Sequence, residues 1–157
     1  MISLIAAIGK NRELGKKGDL IFHIKDDMKY FREVTTGHKV VMGRKTWESL
    51  PGKLKNRENI VASSKEIEDA DTTIHDLTKF LQENINTPEE IFVIGGGKVY
   101  DLSLPYAKNL YLTEVDADDS DADTFFPEFD RTKYTKEIIK EGKENDLTYV
   151  FAKYTKK

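Results

Sequence analysis

Short apolar, β-branched runs recur along this chain and set most of the limits on its fold: Ile2–Ile8, Lys39–Met42, Asn59–Ser63, Ile91–Ile94, Asn109–Val115, Thr135–Lys140 and Thr148–Tyr154. Each has the length and composition of a strand. Helical signals lie between several of them. Asp26–Val34 sets Met28, Phe31 and Val34 on one face and stops at Thr36-Gly37, while Leu77–Ile85 carries Leu77, Phe80, Leu81 and Ile85 at helical spacing. Shorter helices are predicted over Thr46–Leu50 and Lys98–Leu104. Near-continuous apolar strands separated by helices predict an α/β fold: a mixed, mainly parallel sheet with helices on both faces. The last two runs are joined only by the polar connection Glu141–Leu147, which leaves no room for a helix. They are expected to form an antiparallel C-terminal hairpin at the sheet edge.

No repeat, linker or low-complexity stretch divides the 157 residues, so residues 1–157 are expected to be one domain. A chain of this length buries about 70% of its unfolded surface. Its 38% hydrophobic and 34% charged residues are a globular mixture, and a net charge of −3 gives no field for nucleic acid or an anionic membrane. The absence of cysteine excludes disulfides, thiolate metal sites and thiol nucleophiles, and fits a cytoplasmic location. Ile2–Ile8 reads as a buried strand, because no cation precedes it and Gly9-Lys10-Asn11-Arg12 follows it. His23, His38 and His75 lack ligand spacing. Asp116–Asp123 holds five aspartates, but puts Asp121 and Pro127 where a calcium loop needs Gly and Glu. No metal is expected.

Three strand ends carry anion-binding chemistry. Ile91-Phe92-Val93-Ile94 runs into Gly95-Gly96-Gly97, Lys98, Val99 and Tyr100; glycines admit a ligand close to the backbone, and a helix start offers free N–H groups. Tyr100 stands where a dinucleotide fingerprint needs its third glycine, so a glycine-rich turn and a phosphate loop are both open readings here. Val40-Val41-Met42 meets Gly43-Arg44-Lys45-Thr46, and Ile60-Val61-Ala62 ends in Ser63-Ser64-Lys65. Taken together they fit a dinucleotide across the carboxyl edge of the sheet. Arg44, Ser64 and Lys65 around an additional phosphate would favour NADPH. Asp27, at the edge of its helix's apolar face, reads as an N-terminal helix charge or as a buried functional acid, and helix statistics favour the former.

These residues resemble dihydrofolate reductase in order and spacing. The resemblance rests on Met1–Ala7, Asp27 with Phe31, Met42-Gly43-Arg44 with Thr46-Trp47-Glu48-Ser49, Ser63-Ser64, and Ile94-Gly95-Gly96-Gly97 with Val99-Tyr100. It continues through Leu104-Pro105, Leu110-Tyr111-Leu112-Thr113 and Asp123-Thr124 with Phe126-Pro127. Several co-linear motifs are far more specific than any one of them.

The resemblance implies hydride transfer from NADPH to the pterin ring of 7,8-dihydrofolate, giving tetrahydrofolate; the chain is expected to be a monomer that, from its charge, binds neither nucleic acid nor membrane. By position, Asp27 would hydrogen-bond the pterin, with Thr113 supporting it from the neighbouring strand. Leu20 and Phe22 would complete the catalytic set. Ile5, Ala6, Ala7, Leu20, Met28, Phe31, Leu50, Leu54, Ile94 and Tyr100 would line the substrate site, and Arg57 would clamp a tail carboxylate. Cofactor contacts would fall to Ala7, Leu14, Gly15, Gly43, Arg44, Lys45, Thr46, Ser63, Ser64, Lys65, Gly95, Gly96, Gly97, Lys98, Val99 and Tyr100. Gly15–Leu20 would be a mobile loop, and Gly95-Gly96 a cis peptide. Trp47 is expected in helix–sheet packing.

The chain departs from the family before the acid, where Ile21, Phe22 and Lys25 replace a Pro-Trp pair and a second proline. Phe22 keeps an aromatic wall without an indole N–H, so altered proton delivery or loop closure is expected. Ala62 is smaller than the family's usual leucine. A related reductase of a riboflavin precursor shares the fold and cofactor edge, but Asp27, Arg57 and Trp47-Glu48-Ser49 speak against it. A non-catalytic nucleotide-binding module is the alternative from another class.

Overall fold

The computed structural model describes residues Met1–Lys157. The strands are β1 Ile2–Ile8, β2 Glu13–Lys16, β3 Asp19–Leu20, β4 Lys39–Gly43, β5 Glu58–Ala62, β6 Thr72–Ile74, β7 Ile91–Val93, β8 Ala107–Val115, β9 Thr124–Phe125, β10 Tyr134–Glu144 and β11 Leu147–Lys156. The helices are α1 Lys25–Thr35, α2 Arg44–Ser49, α3 Leu77–Asn84 and α4 Gly97–Ser103. Eight strands form one sheet in the order β10-β11-β8-β1-β7-β4-β5-β6, and β3-β2-β9 form a second, small one. Neighbours from β8 across to β6 are parallel, while β11 runs antiparallel to both β8 and β10. No helix is long and apolar enough to cross a membrane.

Strand order explains where the helices lie. The chain steps outward from β1 to β4, β5 and β6, then returns to insert β7 between β1 and β4 before placing β8 on the far side of β1. Right-handed crossovers therefore put α1 and α2 on one face and α3 and α4 on the other. The cores agree. Ile2, Leu4, Val41, Ile60, Leu81, Ile91, Val93 and Leu110 pack with Leu77, Phe80 and Val99 on the α3–α4 face. Ile5, Val40, Met42, Val61 and Phe92 pack with Phe31, Val34 and Trp47 on the α1–α2 face. Each such burial stabilises by about 1.5–3 kcal/mol. Truncating the fully buried Leu81 to alanine costs about 2–5 kcal/mol. A third cluster, Phe22, Ile24, Val115, Tyr149 and Phe151, ties the segment before α1 to the C-terminal hairpin.

Two features differ from the sequence reading. Glu141–Leu147 is not a loop: β10 continues to Glu144 and β11 starts at Leu147, with a tight turn at Asn145 (φ 49°) and Asp146 (φ 66°). Positive φ at both positions matches a two-residue hairpin turn, and the strand's polar outer residues concealed it. The short strands β2, β3, β6 and β9 hold few apolar residues and exist through pairing rather than pattern.

Candidate active site

Alternation along β1 points Ile5 and Ala7 to the α1–α2 face, and register sets Ile5 beside Tyr111 and Ala7 beside Thr113 on β8. Helix α1 lies over this face with Asp26 and Asp27 in its first turn. The two carboxylates diverge. Asp26 Oδ2 accepts the Tyr149 hydroxyl at 2.8 Å, whereas Asp27 Oδ1 accepts the Thr113 hydroxyl at 2.5 Å. Thr113 is buried. Burial pushes the Asp27 carboxyl above the usual carboxylate range, and the Thr113 bond opposes that rise. A merely solvated helix charge would show neither the burial nor the partner.

Around this pair Ile5, Phe31, Leu50, Leu54 and Ile94 belong to one apolar cluster. Arg57 borders it: its Nε donates to the Lys55 carbonyl at 2.9 Å, another guanidinium nitrogen donates to Thr35 Oγ1 at 3.1 Å, and its carbon stands 6.0 Å from the Phe31 ring centre. Other expected wall residues fall elsewhere. Ala6 packs toward the α3–α4 core, and Leu20 and Met28 are 54% and 60% exposed. Phe22 is 8% exposed and packs in the hairpin cluster rather than with Phe31 and Leu50.

The glycine segments meet at the carboxyl ends of β4 and β7. Gly43 N–H donates to the Gly95 carbonyl at 2.9 Å, the Gly95-Gly96 peptide is cis, and Gly95 has φ +127°. Space limits side chains at two of these glycines as well. A Cβ on Gly97 would lie 2.8 Å from Thr124 Cγ2, and one on Gly43 3.0 Å from Val99 Cγ2. Those on Gly95 and Gly96 would make ordinary contacts, 3.5 Å from Thr46 Oγ1, so at Gly95 it is the positive φ that favours glycine. Gly43 and Gly96 begin α2 and α4, and neither helix start has a side-chain cap. Bare backbone at two adjacent strand ends fits the close approach of a phosphate-bearing ligand. Tyr100 is buried behind it, its hydroxyl donating to the Ile5 carbonyl at 2.6 Å, with burial pushing its pKa up.

Farther along this edge Arg44 pairs with Glu48 at 3.6 Å, and Lys45 and Lys98 are exposed. Ser63 Oγ accepts the Lys65 N–H at 3.1 Å, while Ser64 is exposed. His75 Nδ1 lies 2.8 Å from the Ser63 carbonyl. Nothing in the sequence signalled that neighbour, since 12 residues and a strand change separate them. Leu14, by contrast, is buried in the main core, and Gly15 is paired between Leu20 and Thr124. Glu13 was also missed. It is 1% exposed and accepts the Asn11 and Asp119 N–H groups at 2.7 and 2.8 Å, joining the β1–β2 and β8–β9 loops.

A parallel sheet with glycine-cut strand ends beside a carboxyl-bearing apolar cluster defines an α/β protein of the kind that binds ligands at the carboxyl ends of its strands. The family model described as dihydrofolate reductase matches residues 1–156. The dihydrofolate reductase of Bacillus subtilis (strain 168) is 39% identical over 161 residues, covering 100% of this chain and 95% of that protein. That of Buchnera aphidicola subsp. Acyrthosiphon pisum is 38% identical, covering 96% of each chain. The Mycobacterium tuberculosis (strain H37Rv) dihydrofolate reductase is 41% identical over 119 residues, 74% of this chain and 72% of that one. This chain belongs to the dihydrofolate reductase family.

Proposed function

We propose that this chain reduces 7,8-dihydrofolate to 5,6,7,8-tetrahydrofolate with NADPH, acting as one domain and as a monomer in the cytoplasm. The observation that carries the reading is the Asp27–Thr113 pair, a shielded carboxylate with a fixed hydroxyl partner beside the apolar cluster of Ile5, Phe31, Leu50, Leu54 and Ile94. A pterin offers an amino group and a neighbouring ring nitrogen, and the free oxygen of Asp27 accepts from them while Thr113 holds the other. The charge of Asp27 favours the protonated pterin, with the proton arriving from water. Ile5, Ala7, Phe31, Leu50, Leu54 and Ile94 flank the rings, and Arg57 takes the tail carboxylate. NADPH, when bound, supplies the hydride.

Gly43, Gly95, Gly96 and Gly97, with Thr46 above them, form the bed for the cofactor's pyrophosphate; Arg44, Ser64 and Lys65 take its extra phosphate. Gly15–Leu20 closes over the site and excludes water. Positioning and electrostatics are the protein's contribution.

The test mixes purified protein with NADPH and dihydrofolate and follows reduced-cofactor absorbance, with omission controls. The expected result is oxidation that depends on dihydrofolate and is blocked by a substrate-analogue antifolate. Cofactor binding without turnover would point to a nucleotide-binding module, and turnover of a riboflavin precursor instead to the related reductase.

A further inference from the structure

Helix α1 carries Asp27, yet its start is poorly served by its own sequence. Its N-cap is Ile24, which supplies no side-chain acceptor, so the first N–H groups need partners from elsewhere. One comes from the far end of the chain. Glu144, the last residue of β10 before the Asn145-Asp146 turn, offers both carboxylate oxygens to the Lys25 N–H, at 3.2 and 3.1 Å. The same hairpin adds two more holds on α1. The Tyr149 hydroxyl donates to Asp26, and Phe151 stacks on Tyr30 with ring centres 4.3 Å apart. Tyr149 packs against Gly142, where any Cβ would fall 2.5 Å from its ring, so hairpin and ring move together. Asp27 lies two residues beyond Lys25 on the same helical turn.

We infer that Glu144 is a positioning residue for Asp27: from the hairpin tip it caps α1 in place of an N-cap side chain and sets the acid against Thr113. The inference rests on the proposed role of Asp27. A carboxylate at a helix start also gains from the helix dipole.

The test is a double-mutant cycle near pH 5.5, where Asp27→Asn is expected to retain measurable turnover. Glu144→Ala is expected to lower kcat/KM for dihydrofolate by about 3- to 10-fold, the loss of one cap, with the NADPH Kd within about 2-fold of wild type. Glu144→Gln, whose amide oxygen still accepts the Lys25 N–H, is expected to stay within about 2-fold of wild type in both. Tyr149→Phe, which keeps the ring, is expected to lower the same parameter by a smaller factor. In the Asp27→Asn background Glu144→Ala is expected to have no further effect, because it acts through the acid. Equal losses from Glu144→Ala in both backgrounds, or wild-type kinetics for Glu144→Ala, overturn the inference while leaving Asp27 in its role. Wild-type turnover by Asp27→Asn itself removes both.

Discussion

The Thr113 hydroxyl donates to Asp27 Oδ1 at 2.5 Å and joins strand β8 to helix α1 across 86 residues of chain. The bond holds one of the two carboxylate oxygens. It also opposes the desolvation that raises the Asp27 pKa, so the site balances shielding against a partner for the charge.

That balance has a consequence for stability. The folded-state pKa of Asp27 is raised above 3.8, so the folded protein holds this proton more tightly than the unfolded chain does. Its stabilising contribution is complete below the unfolded value and is lost as pH rises through the folded one. At neutral pH the ionised carboxylate therefore costs stability. Asp27→Asn is expected to melt at the same temperature as wild type or higher at pH 7, with any advantage shrinking toward pH 4. A clear drop in Tm at pH 7 would show that the carboxylate stabilises the fold.

Arg44 is 3.6 Å from Glu48 in a pair that is half exposed and adds little to stability. Its proposed task is the cofactor's extra phosphate. Arg44→Ala is expected to weaken NADPH use by about 10- to 100-fold, the loss of one charge-assisted hydrogen bond, and to leave NADH use nearly unchanged. Steady-state KM values for the two cofactors decide this; equal losses remove Arg44 from the phosphate.

Phe22 packs against Ile24, Val115, Tyr149 and Phe151 with 8% of its surface exposed. Phe22→Trp overfills that cluster, and a Tm decrease corresponding to about 1–3 kcal/mol is expected. Because the same substitution restores an indole N–H, the pH–rate profile is also expected to shift. A profile identical to wild type would show that the aromatic at this position takes no part in proton delivery.

Gly95 has φ +127° and is buried, so a side chain there is strained whatever space it finds. Gly95→Ala is expected to cost about 1–3 kcal/mol and to weaken cofactor binding more than dihydrofolate binding. Thermal melts and fluorescence titrations with NADPH measure the two effects. Unchanged NADPH affinity would place the cofactor away from this glycine.

Apolar runs such as Ile2–Ile8 and Ile91–Ile94 made the parallel sheet legible, because strands covered on both faces need side chains that are apolar throughout. The glycine segments at Gly43 and Gly95–Gly97 were legible because a run of glycines between a strand and a helix is itself a mark; Gly43 and Gly97 have little room for a Cβ, and Gly95 has a positive φ. Glu13, Glu144 and His75 were not. Each acts through a partner brought near by a turn, a strand pairing or the return of the chain, and a charged residue in a polar run carries no mark of its partner. The hairpin turn at Asn145-Asp146 was hidden likewise, since β10 faces solvent along most of its length and lacks an apolar pattern.

The role of Asp27 is tested by the pH dependence of dihydrofolate-dependent NADPH oxidation by Asp27→Asn beside wild type. At neutral pH the variant is expected to lose about 10²-fold or more in turnover, and to recover partly in acid, where solvent protonates the pterin without help from the carboxylate. Turnover equal to wild type at neutral pH would contradict this role, because the shielded carboxylate beside the apolar cluster would then have no part in the reaction.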